Sequence, residues 1–268
     1  MALRFPFSET AAVAHRGAHC CGHAENSLPA IAHAIDLGAP GIEVDVCNLG
    51  DGELVVSHDP YVTVGGAAIP LPSLTMRDLA PLIRGGQVVL ARCALDLIGP
   101  TDAFLCFDWK GYGDEARVAR LIDEFGLRER TIVSSSRPAA LAAIKEEGTA
   151  LLTGLSFPAH PGFDDHTVSE QVRRVVARLR AARADVAMLE LSLASRAMLR
   201  ALRRRGAGVF VWTAKDRDTF AAMATLAPDG IMSDLEDHTT VGSGHGRDAG
   251  LSETAVSVLN PPEELVPI

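Results

Sequence analysis

The sequence predicts a (β/α)8 barrel, a TIM barrel, with a small insertion after the second strand. Three observations predict it. Short β-branched or apolar runs alternate with longer Ala/Leu/Arg-rich stretches of helical spacing along the 268 residues. The polar residues of the early strands gather at C-terminal strand ends, where barrels build their sites. The first βα turn, His15-Arg16-Gly17-Ala18-His19, is no dinucleotide fingerprint, which argues against an open doubly wound sheet.

The elements follow in order. Strands are expected over 11–15, 41–47, 103–110, 131–135, 150–155, 186–191, 208–213 and 230–233. Helices are expected over 27–37, 87–97, 114–125, 138–147, 169–184, 194–205 and 216–226. Ser27 stands where an N-cap belongs, and Gly38, Gly148 and Gly206 stand where helices stop. After the second strand, Gly50-Asp51-Gly52 reads as a hairpin turn and 54–57 as a return strand. The insertion covers about 50–86 and includes a Pro/Gly-rich stretch, on the connection where barrel chemistry resides. One domain is expected over 1–268; the tail, about 236–268, carries no clear periodicity.

Composition narrows the function. Hydrophobic residues make up 47%, charged residues 22%, and the net charge is −9. A chain this acidic is not expected to bind nucleic acid. An anionic small molecule is still compatible, because a bound cation reverses the local field. No apolar run approaches the roughly 20 residues of a membrane span. Five cysteines, two of them adjacent (Cys20, Cys21), suit reduced thiols and a cytoplasmic setting better than a disulfide framework.

The chemistry is carried by side chains that a period of two places on one face. On the second strand, Ile42, Val44 and Val46 suit the layer between strands and helices, so Glu43 and Asp45 point into the mouth. On the third, Phe104, Cys106, Asp108 and Lys110 share a face. Crowded carboxylates repel, and a divalent cation with oxygen ligands, Mg²⁺ or Ca²⁺, resolves the repulsion. Glu43 and Asp45 alone would equally suit a salt-bridged strand end. With His15, Arg16, His58, Asp108 and Lys110 on neighbouring connections, a reaction centre is favoured. Two histidines suit acid and base at neutral pH, and Arg16 and Lys110 suit a phosphoryl group. Together these parts describe metal-assisted phosphoryl transfer.

Three runs carry a resemblance: His15-Arg16-Gly17 with Glu25-Asn26-Ser27, then Gly38 through Val46 with its Glu43-Val44-Asp45 core, then Asp51-Gly52-Glu53-Leu54-Val55-Val56-Ser57-His58-Asp59. The order resembles the glycerophosphodiester phosphodiesterase family. It returns at Phe107-Asp108-Trp109-Lys110, Val211-Trp212-Thr213 and Asp229-Gly230-Ile231-Met232-Ser233-Asp234. The resemblance implies a TIM barrel of lipid metabolism that splits a phosphodiester into a phosphomonoester and an alcohol. It implies His15 and His58 as the acid/base pair, with His15 as base. It implies Arg16 and Lys110 on the phosphate, Glu43, Asp45 and Asp108 on the metal, and Trp212 in the pocket for the alcohol.

Two departures stand out. Asp108 replaces the Glu of the family's Glu-x-Lys motif, and Pro60-Tyr61-Val62-Thr63-Val64 stands in place of an Arg-Thr pair. Both lie where substrate choice is made. The expected substrate is therefore a small glycero- or sugar-phosphodiester. The alternatives are a phospholipase D-like lyase forming a cyclic phosphate from lysophospholipids, and a non-catalytic anion-binding barrel. Weaker signals have plain readings. His19-Cys20-Cys21-Gly22-His23 matches no zinc module and reads as a loop, or as a substrate contact. Asn26 reads as part of the helix start and as a group that orients site residues. The basic runs at 173–183 and 203–205 read as solvated helix faces.

Overall fold

Strand alternation and helix capping together set the architecture of the computed structural model, which describes residues 5, 9–147, 151–159 and 167–235. Eight parallel strands form its centre: β1 Ala11–Ala14, β2 Gly41–Asn48, β3 Phe104–Trp109, β4 Thr131–Ser135, β5 Leu152–Phe157, β6 Val186–Glu190, β7 Gly208–Ala214 and β8 Gly230–Ser233. β1 pairs with both β2 and β8, so the sheet closes on itself. That closure excludes the open doubly wound sheet and gives the expected TIM barrel.

The period-two reading holds on β2. Ile42, Val44 and Val46 are buried in the layer beneath the helices, while Glu43 and Asp45 point inward. Within the barrel, Val13, Phe104, Cys106, Ile132, Val186, Met188, Phe210 and Met232 form a separate buried layer. Phe5 stands edge-on to Phe104 and Phe210, with centroids 6.1 and 5.3 Å away. The barrel interior is thus a packed core, and the polar residues sit above it.

Caps fix the helices that connect the strands. Ser27 accepts a hydrogen bond from the Ala30 N–H at 3.2 Å and starts Leu28–Asp36. Gly38 (φ +68°) and Gly206 (φ +75°) follow helix ends as expected, and Gly148 lies outside the described residues. The arginines of 173–183 and 203–205 are exposed, as a solvated face requires.

The insertion is more ordered than its composition suggests. Leu54–Val56 returns antiparallel to β2, with Val46 opposite Val56 and Asn48 opposite Leu54. Tyr61–Val64 and Ala67–Pro70 then form a hairpin around Gly65-Gly66. Helix Met76–Arg84 was not expected; a capping box between Thr75 and Asp78 starts it, and it accommodates Pro81. The helix expected over 87–97 begins only at Ala91, because Val89–Leu90 pairs with Val55 and Val56 as a short strand. β5 continues to Phe157, two residues past the expected end, with Gly154 facing Ile132 and Met188 inside the barrel; residue 150, the expected start, lies outside the described residues.

Gly17 shows how tightly the first loop is built. Its φ is +76°, and a Cβ there would lie 2.7 Å from the Ala30 backbone carbon. Gly17→Ala is expected to destabilise the fold by about 2–3 kcal/mol. A fall in the urea midpoint at unchanged m-value would show it.

Candidate active site

Eight residues proposed from the sequence line one pocket: His15, Arg16, Glu43, Asp45, His58, Asp108, Lys110 and Trp212. Strand register explains why. Asp45 lies opposite Asp108, and Asp108 lies opposite Ser134, whose hydroxyl donates to the Asp108 carboxylate at 2.8 Å. His58 is brought in by the return strand, where the Ser57 N–H donates to the Asp45 carbonyl at 2.9 Å. Lys110 directly follows β3, and its N–H donates to the Val46 carbonyl.

The carboxylates form a cluster. Ligand oxygens of Glu43, Asp45 and Asp108 all lie within 4.8 Å of one another. The shorter Asp108 therefore reaches the group despite its missing methylene. Glu43 and Asp45 are each only 2% exposed. Lys110 Nζ lies 3.1 Å from Asp45 and also donates to Asp108. Arg16 uses a left-handed backbone (φ +56°) to donate its N–H to Glu43 at 2.8 Å. Its guanidinium pairs with Glu25 at 2.8 Å and lies 3.1 Å from Asp45 through Nε. That second contact is an ion pair without hydrogen-bond geometry, since Nε is a buried donor with no accepting partner.

Charge is divided unequally. Burial pushes the Glu43 carboxyl well above its ordinary range, and Asp45 and Asp108 push it the same way. Burial also acts on Asp45, but Lys110, the Asn26 amide and Arg16 outweigh it and hold Asp45 below the ordinary range. Burial opposes the Lys110 charge, yet Asp108 and Asp45 raise its pKa. Three oxygen donors in this cluster fit a hard divalent cation, which would let Glu43 ionise.

Both histidines are oriented by aspartates. His15 Nδ1 lies 2.7 Å from Asp234 Oδ1, and His58 Nδ1 lies 3.0 Å from Asp59 Oδ1. In each ring Nε2 remains for another partner. Burial raises the Asp234 carboxyl, but hydrogen bonds and charge from His15 and His19 outweigh this and lower it.

A model of the glycerophosphoryl diester phosphodiesterase family matches residues 15–89 and 108–238. The chain belongs to this family. Like its relatives, this family member is a phosphoric diester hydrolase. A glycerophosphodiester phosphodiesterase of Caldanaerobacter subterraneus is 30% identical over 165 residues, which are 56% of this chain and 67% of that protein. The Bacillus subtilis protein YhdW is 24% identical over 241 residues, 84% of this chain and 94% of its own. Among solved structures, the Thermotoga maritima glycerophosphodiester phosphodiesterase superposes with a TM-score of 0.67 at 21% identity, covering 86% of this chain and 97% of that one. An Oleispira antarctica phosphodiesterase solved with sn-glycerol-3-phosphate gives a TM-score of 0.67 at 20% identity, covering 85% and 94%. These two structures share the barrel.

Three supporting residues of this phosphodiesterase-family site carried no assigned role, or only a partial one, at the sequence level. Asp234 ends the run that begins at Asp229, and its partner is 219 positions away. Ser134 gave no signal, being one of three small hydroxyl residues, with Thr131 and Ser135, on a five-residue strand. Asn26, read as an orienting residue, is buried and holds Asp45 twice: its Nδ2 donates at 2.8 Å, and its Oδ1 accepts from the Asp45 N–H at 3.1 Å. Asn26→Ala is expected to cost about 2–4 kcal/mol, from two buried hydrogen bonds and a left-handed backbone (φ +59°). Cation affinity should fall about 10–100-fold. Denaturant unfolding and a Ca²⁺ titration would measure the two effects.

Proposed function

We propose that this chain is a divalent-metal-dependent phosphodiesterase. It hydrolyses a small glycero- or sugar-phosphodiester to a phosphomonoester and an alcohol, with His15 and His58 exchanging the protons. One observation carries the reading: both histidines, both cationic side chains and the three clustered carboxylates line a single pocket.

Glu43, Asp45 and Asp108 would hold Mg²⁺ or Ca²⁺, which supplies Lewis-acid stabilisation of a phosphate oxygen. Every remaining role falls to the chain itself. His15, held through Nδ1 by Asp234, takes the proton of the attacking water, or of a neighbouring substrate hydroxyl, at Nε2. His58 is the more exposed ring, 43% against 17%, and gives its proton to the leaving alkoxide on the solvent side. The Arg16 guanidinium and the Lys110 ammonium neutralise charge growing on the phosphoryl oxygens. Trp212 forms the wall against which the alcohol part rests. The soluble substrate and a cytoplasmic setting agree with the charge and the cysteine usage.

A second reading, the lyase acting on lysophospholipids, draws on one feature. The hairpin that replaces the Arg-Thr pair carries Tyr61 and Val64 outward, 42% and 43% exposed. That pair is far smaller than an acyl chain, so we favour the soluble diester. No helix among the described residues is long and apolar enough to cross a membrane.

The test is a small panel: glycerophosphocholine, glycerophosphoethanolamine, a sugar phosphodiester and lysophosphatidylcholine, each with Mg²⁺, Ca²⁺ or EDTA. Turnover of a soluble diester that disappears with EDTA and in Glu43→Ala is the expected result. Turnover that persists in EDTA, or that is confined to lysophosphatidylcholine with a cyclic product, would overturn it.

A further inference from the structure

Beside the pocket lies a second cleft of about 410 Å³, into which His15, His19 and Asp234 open together. Donor atoms of these three side chains all lie within 4.8 Å of one another. His15 Nδ1 is 2.7 Å and His19 Nε2 is 3.3 Å from the same Asp234 oxygen, Oδ1. All three side chains are partly exposed, at 17%, 26% and 22%, so an ion can reach them from solvent. His19 comes from the short turn His19–Cys21 after β1, and it has no part in the hydrolysis described above.

The donor chemistry differs from that of the carboxylate cluster. Three carboxylates suit a hard cation, whereas two imidazoles and one carboxylate suit a borderline transition-metal ion. Around tetrahedral zinc, with bonds of about 2.0–2.1 Å, ligand atoms stand about 3.3–3.4 Å apart. The His19–Asp234 distance already matches this value, and the His15–Asp234 distance needs to open by about 0.6 Å. Two imidazole nitrogens and one carboxylate, with a fourth position open to the cleft, form the usual ligand count of an exchangeable zinc site.

We propose that His15, His19 and Asp234 form a second, inhibitory site for a transition-metal ion such as Zn²⁺, separate from the carboxylate cluster. An ion there takes the lone pair of His15 Nδ1 in place of the hydrogen bond to Asp234, and the single ring proton passes through solvent from Nδ1 to Nε2. The ring then no longer accepts a proton at Nε2. Binding rests on geometry alone; inhibition rests also on the acid–base role proposed for His15.

The experiment uses the whole 268-residue chain with its carboxylate cluster saturated by Mg²⁺. Co²⁺ is titrated as a visible-absorption probe, and Zn²⁺ is then added to displace it. The expected result is one Co²⁺ equivalent with the intense visible band of tetrahedral nitrogen and oxygen ligation, lost in His19→Ala and weakened in His19→Gln. In the diester assay with excess Mg²⁺, Zn²⁺ should inhibit the native protein. Relative to its own Zn²⁺-free rate, each variant should need more than about tenfold more Zn²⁺ for the same fractional inhibition. Absence of the Co²⁺ band would overturn the site. Equal Zn²⁺ inhibition of the native and variant proteins would also overturn it, since the ion would then be acting by replacing Mg²⁺. If no diester is turned over at all, the acid–base reading fails and the Co²⁺ band still decides whether the site exists.

Discussion

His15→Ala is expected to lower kcat by about 10²- to 10⁴-fold, the usual contribution of one positioned acid or base, while KM changes little. In the proposed mechanism the ring supplies a proton acceptor, whereas Arg16 and Lys110 attract the phosphate as well as neutralising the charge that grows on it. Loss of the ring therefore falls on the chemical step. Asp234→Asn should show a smaller loss of the same kind. An amide in place of the carboxylate holds the ring by a weaker contact, with no charge to stabilise the imidazolium. His58→Ala should be rescued by a substrate with a better leaving group, such as a nitrophenyl phosphodiester, because such an alkoxide needs no proton. His15→Ala should not be rescued. Steady-state kinetics on the two substrates separates the roles; rescue of His15→Ala alone would reverse the assignment of base and acid.

A second large effect is expected in stability. In the metal-free protein the Glu43 carboxyl titrates well above its ordinary value of 4.5, because it is buried beside Asp45 and Asp108. The folded chain therefore binds a proton that the unfolded chain releases. The stabilisation is fully present below pH 4.5 and is lost as pH rises through the raised folded value. A divalent cation reverses the trend, because it takes the place of that proton. At a hundredfold excess over its Kd the cation should contribute about 2.7 kcal/mol. That corresponds to about 5–10 °C in Tm for a chain of this size. The cation-induced gain in Tm should be larger at pH 8 than at pH 5.5, and Glu43→Gln should remove most of the difference. Thermal scans with EDTA and with Mg²⁺ at the two pH values measure it. A gain of the same size at both pH values would show that Glu43 does not exchange its proton for the cation.

The inner residues of this site were legible because a β-strand converts sequence spacing directly into direction. Glu43 and Asp45 had to share a face, and the apolar Ile42, Val44 and Val46 fixed which one. Asp108 and Lys110 followed by the same rule on β3. The order of the motifs supplied His58, which no periodicity connects to β2; the hydrogen bond from Ser57 to Asp45 shows the physical link. What escaped was set by tertiary pairing. Asp234 follows Ser233, and the register that sets Ser233 beside Ala14 brings Asp234 to His15. Only a chain already closed as a barrel reveals that neighbour. Within the insertion the miss was of another kind. Thr75 and Asp78 spell a capping box, yet Pro81 and the surrounding glycines read as loop. Val89–Leu90 is too short for any periodicity, and only its partner strand makes it one.

The seam between β1 and β8 also places the reaction in time. Synthesis delivers His15 early, then Glu43, Asp45, His58, Asp108 and Lys110, all within the first 110 residues. Asp234 emerges 219 residues after His15, roughly 10–40 s later at ordinary translation speeds. Until then β1 lacks one of its two neighbours, and the His15 ring lacks the carboxylate that orients it. On the proposed mechanism, the growing chain thus carries Glu43, Asp45, Asp108, Arg16 and Lys110 through most of its production before the His15 proton acceptor is oriented. Of the eight barrel strands, β8 is made last, and with it comes the carboxylate that sets the His15 ring.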